Sequence, residues 1–128
     1  MAIRSVKEMV KEAKAEISTV DVKDALAMAK KGEALLVDIR DIRELDREGR
    51  VPGAYHAPRG MLEFWVSPDS PYHKPELTDG KTLLLFCAGA MRSSLSVKTL
   101  QDMGVEKIGE IADGFRAFKE VGVFEKDD

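Results

Sequence analysis

Cys87 and Arg92 bracket the run Cys-Ala-Gly-Ala-Met-Arg, which follows directly on Leu83, Leu84, Leu85 and Phe86. Ligands of open α/β sheets bind at the carboxyl ends of strands, which is where such a run would fall. Ala88, Gly89 and Ala90 let the backbone curl tightly, with Gly89 free to take a positive φ, so that several N–H groups aim at one point. With a helix beginning just after Arg92, these groups form a nest for an anion, and a cysteine at its mouth loses its proton more readily. Arg92 adds a planar donor fork suited to an oxyanion, while Met91 either lines the mouth or packs inward. The chemistry would be attack by a nucleophilic sulfur on an anionic substrate. The alternative is an inert cysteine at a strand end, since buried cysteines are common.

Such a loop needs a sheet beneath it. Residues 81–86 form the clearest strand, and Ala34-Leu35-Leu36-Val37-Asp38-Ile39 reads as a second one buried on both faces. Turn chemistry at Val51-Pro52-Gly53-Ala54 precedes a short strand over 55–57, and 107–112 make a last strand. Helices are predicted over 40–48, 61–66, 93–103 and 116–121, with Val97, Leu100 and Met103 sharing one face of the third. Ser18-Thr19-Val20-Asp21 fits a capping box that opens a helix ending at Gly32. Ile3, Val6, Val10, Ala13 and Ile17 recur at helical spacing, which predicts a first helix packed on the domain. A helix that binds a partner or forms a homodimer is the alternative. Pro68, Pro71 and Pro75 mark 67–80 as an irregular excursion. It would be either a lid or a loop beside Phe64 and Trp65 packed on the sheet, and packing is the expectation. Strands alternating with helices imply a parallel sheet covered on both sides. The expected layout is a helical extension over 1–16, one domain over 17–122 and a charged tail over 123–128.

The 128 residues are 44% hydrophobic and 34% charged, a globular balance. A net charge of -3 with both signs mixed gives no footprint for nucleic acid or anionic lipid. No apolar run approaches the roughly 20 residues that span a bilayer. One cysteine excludes an internal disulfide, and His56 and His73 match no metal-ligand spacing, so no metal is expected. The first residues lack a secretory apolar region, and Glu8, Glu12 and Glu16 argue against a transit peptide. A cytoplasmic location is the expectation.

Four segments in order resemble the single-domain rhodanese family of sulfurtransferases, over residues 17–122. Val37-Asp38-Ile39-Arg40 matches its D-x-R segment, and residues 49–58 match its G-H-I-P-G-A-x-N-x-P signature. Residues 87–92 match the C-x-x-x-x-R loop, and residues 113–118 match the terminal G-G-x-x-A-W segment. Arg50, His56, Phe115 and Phe118 depart from the pattern, all outside the loop. The resemblance implies an α/β fold, a five-stranded parallel sheet with helices on both faces. It implies transfer of a sulfane sulfur from thiosulfate or a related small anion, through a persulfide on Cys87, to cyanide, a thiol or a sulfur-acceptor protein. The N–H groups from Ala88 to Arg92 would hold the sulfur, and Arg92 would seat the donor's anionic end. Asp38 and Arg40 would be a supporting ion pair, with no cofactor required. With no second cysteine, the persulfide must pass to an external acceptor. Two other readings stand beside this one. Tyrosine phosphatases and arsenate reductases use a cysteine loop one residue longer, and some rhodanese-like domains are binding modules without catalysis.

Overall fold

The apolar run that ends at Cys87 forms β4 (Thr82–Phe86), the middle strand of five. In the computed structural model, which describes residues 2–126, it lies between β5 (Ile108–Ile111) and β2 (Ala34–Asp38). The edges are β1 (Thr19–Val20) and β3 (Tyr55–His56), and every pairing is parallel. Parallel strands need crossovers, and the helices that supply them cover both faces of the sheet. They are α1 (Val6–Glu16), α2 (Val22–Lys30), α3 (Ile42–Glu48), α4 (Leu62–Val66), α5 (Met91–Asp102) and α6 (Gly114–Glu120). Side chains alternate along β4, so Leu83 and Leu85 join one core with Leu62, Val97 and Leu100. Leu84 and Phe86 join the other with Ala25, Ile111 and Phe118, where the Phe86 and Phe118 rings lie 4.9 Å apart. The five-stranded parallel sheet matches the expectation.

Several local expectations fail, each for a physical reason. Thr19 and Val20 do not open a helix; they pair with Glu110 and Ile111 as an edge strand, and Asp21 caps α2 instead by accepting from the Lys23 N–H. The third predicted helix begins at Met91, two residues early, because Ala90 takes the N-cap position. Met103 lies exposed beyond its end. Only Val10 and Ala13 of the first helical stripe are buried, and Ile3, which precedes α1, is 97% exposed. At the end of α1, Lys98 of α5 pairs with Glu16 at 2.9 Å and the Gln101 amide donates to the Glu16 carbonyl. Within the charged tail, residues 123–125 are tied to the domain. Val123 donates to the Phe118 carbonyl, Glu125 and Arg50 form an antiparallel bridge, and Phe124 sets its ring edge-on to Phe115. The last two residues of the expected tail lie outside the described ones.

The excursion contains a 3-10 turn, Pro75–Thr78, that buries Leu77 in the core. It leads into the amino end of β4, whereas Cys87 follows the carboxyl end. Trp65 packs as expected, edge-on to Tyr55 with Lys74 over its ring, but Phe64 is exposed.

At the carboxyl end of β2, Asp38 and Arg40 are both fully buried. Arg40 donates through Nε and Nη2 to the Asp38 carboxylate at 3.0 and 2.8 Å, and through Nη2 to the Gly49 carbonyl at 2.9 Å. The Phe115 ring lies 4.0 Å from the guanidinium, and His56 Nε2 is hydrogen-bonded to the Arg40 carbonyl at 2.7 Å. Removing one partner strands the other charge out of water. Arg40→Met is therefore expected to cost about 3–5 kcal/mol in urea denaturation, and Asp38→Asn/Arg40→Met distinctly less.

Candidate active site

Cys87 leaves β4 at the point where the chain must turn back into α5, and it is 1% exposed. Its carbonyl accepts from the Phe115 N–H at 2.8 Å, and that of Ala88 accepts from the Arg116 N–H at 3.3 Å. The loop is thus fastened by its carbonyls to the start of α6. Among the described residues, no protein acceptor meets the N–H groups of Ala88, Gly89 and Ala90. Those donors remain available for an anion.

Gly89 does not take the positive φ that is open to it. Left-handed backbone occurs in the opposing turn instead, at Asp113 (61°) and Gly114 (56°). A Cβ on Gly114 would stand 2.1 Å from the Gly89 carbonyl oxygen and 2.3 Å from that of Cys87. Glycine is needed there so that the two loops can touch.

Arg92 does not stand free. It grips Glu44 of α3 through Nη1 and Nη2 at 2.8 and 3.0 Å. That hydrogen-bonded guanidinium holds the Glu44 carboxyl below the usual carboxylate range. With a lowered folded value, the tie's stabilising contribution is present near neutral pH and fades as pH falls through that value. Glu44 also closes the capping box of α3, accepting from the Asp41 N–H, so its position is fixed by the helix start. Met91 is exposed at the first position of α5. Beside the loop lies an open cleft of about 490 Å3, lined by Arg40, Glu44, Arg47, Ala88, Phe115 and Arg116.

Sequence reasoning missed what lies under the loop. Glu110, in the middle of β5, is wholly buried. Its carboxylate accepts from Ser93 Oγ at 2.9 Å, Ser94 Oγ at 2.8 Å, Thr19 Oγ1 at 3.2 Å and Lys14 Nζ at 2.8 Å. Ser93 Oγ lies in turn 3.7 Å from Cys87 Sγ. The available signal was an acid inside a strand expected to be buried on both faces, because such a charge must find partners.

Gly114→Ala tests the touching loops. The clash adds to the about 1–2 kcal/mol that a side chain costs in left-handed backbone. The expected result is a loss larger than that in urea denaturation, together with altered Cys87 reactivity.

Comparison with known proteins agrees with the fold. A solved Rhodopseudomonas palustris protein of unknown function, described as a possible tyrosine phosphatase, is 43% identical; the match covers 98% of this chain and 97% of that one, with a TM-score of 0.90. The polysulfide-sulfur transferase homodimer of Wolinella succinogenes is 28% identical over 95% of this chain and 88% of that one, with a TM-score of 0.72. An uncharacterized Synechocystis protein is 29% identical over 82% of this chain and 54% of that one. The chain spans 22% to 54% of the length of the curated relatives it matches. The Rhodanese-like domain matches residues 21–121, and with strand order, cysteine loop and terminal turn all in place, the chain belongs to the rhodanese-like family.

Proposed function

We propose that this protein is a sulfurtransferase that carries a sulfane sulfur as a persulfide on Cys87. The observation that carries the reading is the loop itself: a cysteine at the end of the central strand, four residues before Arg92, with the N–H groups of Ala88, Gly89 and Ala90 unspent. The Cys87 thiolate attacks the outer sulfur of thiosulfate or a similar small anionic donor. A new sulfur–sulfur bond forms, the donor's bond to that sulfur breaks, and the rest of the donor, sulfite in the case of thiosulfate, departs with the bonding pair. The loop N–H groups from Ala88 to Arg92 hold the charge on the terminal sulfur, and Asp38 and Arg40 stiffen the neighbouring strand end. An external thiol or cyanide then attacks that sulfur and releases the Cys87 thiolate. No organic cofactor or metal enters these steps.

The polysulfide-sulfur transferase name of the Wolinella protein supports a sulfur-carrying role, while the Rhodopseudomonas name favours phosphatase chemistry as a second reading. Loop length separates them. Four residues between cysteine and arginine make a tighter cradle than the five of tyrosine phosphatases, suited to one sulfur rather than a tetrahedral phosphate.

Intact mass after incubation with thiosulfate tests the proposal. One added sulfur on the wild type, removed by cyanide and absent from Cys87→Ser, is the expected result. Hydrolysis of p-nitrophenyl phosphate without any sulfur uptake would instead assign the loop to phosphoryl chemistry. Uptake of nothing and hydrolysis of nothing would leave a binding module.

Arg92 supplies a second test. Glu44 competes with an anionic donor for the same guanidinium, so Glu44→Gln, which keeps the helix cap, is expected to lower the thiosulfate KM by roughly 3–10-fold. An unchanged or raised KM would show that Arg92 does not seat the donor.

A further inference from the structure

The first helix reaches the reacting sulfur through three side chains. Lys14 Nζ, on the last turn of α1, donates to Glu110 Oε1 at 2.8 Å and to the Ala90 carbonyl at 3.1 Å. Glu110 Oε2 accepts from Ser93 Oγ, and Ser93 Oγ faces Cys87 Sγ. A hydroxyl has one hydrogen. While Ser93 spends it on Glu110, only its lone pairs face Cys87, which suits a thiol and opposes a thiolate. The Glu110 carboxylate, wholly buried two contacts from the sulfur, opposes the thiolate as well.

We propose that Lys14 is a positioning residue of the active site: it neutralises Glu110, so that the buried carboxylate does not hold Cys87 in the thiol form, and it pins the Ala90 carbonyl. With the charge of Glu110 balanced by Lys14, the Ser93 hydroxyl can turn its hydrogen to a sulfur anion while Ser94, whose single hydrogen has both the Ala90 carbonyl at 2.5 Å and Glu110 Oε2 at 2.8 Å within reach, turns to the carboxylate and leaves the Ala90 carbonyl to Lys14. The second contact acts on the backbone. A trans peptide points its C=O and N–H to opposite sides, so holding the Ala90 carbonyl toward Lys14 directs the Met91 N–H away from it. Of the other charges near the loop, Arg92 pairs with Glu44 and also faces Cys87 itself, while Arg40 pairs with Asp38 and Arg116 with Asp113. Lys14 is thus the cation that Glu110 contacts. Residues 1–20 precede the matched family segment, so this contribution comes from outside it.

The inference rests on Cys87 being the reacting sulfur but not on any sulfur donor. The test is a pH titration of the ultraviolet absorbance of the thiolate, read as the difference from Cys87→Ser. Cys87 is the single cysteine, so the signal is its own. Lys14→Met is expected to move the appearance of the thiolate upward by about one pH unit. Lys14→Arg, which keeps the charge, should titrate as the wild type. Lys14→Met/Glu110→Gln should return to within half of that shift, since a neutral amide no longer opposes the sulfur. Lys14 is 41% exposed at its side chain, and circular dichroism of each variant checks that the fold is kept. A Lys14→Met profile that overlies the wild type, or a double variant that stays with Lys14→Met, would overturn the proposal. A protein that shows the shift yet never gains sulfur from thiosulfate would keep this inference and lose the sulfur-transfer reading.

Discussion

The N–H of Phe115 donates to the carbonyl of Cys87 across 2.8 Å, and the site depends on that bond. It joins the turn after β4, which leads into α5, to the turn after β5, which leads into α6, and the Arg116 N–H reinforces it by donating to the Ala88 carbonyl. The bond is short enough to form only because Gly114 carries no side chain where the two backbones meet. Fastened this way, the cysteine loop spends its carbonyls on protein and leaves its N–H groups over. A loop with the opposite allocation would repel an anion. The polarity of the site is therefore decided by backbone contacts, and side chains refine it.

Two buried carboxylates flank this arrangement and are handled differently. Asp38 is matched by a single residue, Arg40, two positions along the same chain. Glu110 is matched by donors from α1, β1 and α5, so its desolvation is offset only once the tertiary structure is complete. Local pairing of the first kind stabilises a strand end early. Dispersed pairing of the second kind makes the first helix part of the folded unit, although only two residues of its apolar stripe are buried.

This contrast explains what was legible in the sequence. The central strands announce themselves because Leu83, Leu84, Leu85 and Phe86 are apolar on both faces, and the cysteine loop because small residues follow a strand directly. The pairing of Asp38 with Arg40 follows from the family resemblance of their segment rather than from the residues alone. The edge strand Thr19–Val20 could not be told from a helix start: two residues carry no period, and its identity comes from β5, some 90 positions away. The partners of Glu110 were hidden for the same reason. Lys14 looks like any solvent-facing lysine of an amphipathic helix, and Ser93 and Ser94 like ordinary helix residues, until the fold gathers them around one carboxylate. Arg92 was found by its position but not its engagement, since nothing local marks Glu44 as its partner.

The near-complete enclosure of Cys87 also bears on which molecules the site can meet. A bare thiol this deep is screened from bulky disulfides and oxidants, so only slim reagents reach it. One extra sulfur would sit about 2 Å beyond the enclosed atom, the length of a sulfur–sulfur bond. Loading would thereby trade a recessed nucleophile for a more advanced electrophile. The two halves of a transfer would then obey different size limits: narrow for what gives the sulfur, and wider for what takes it.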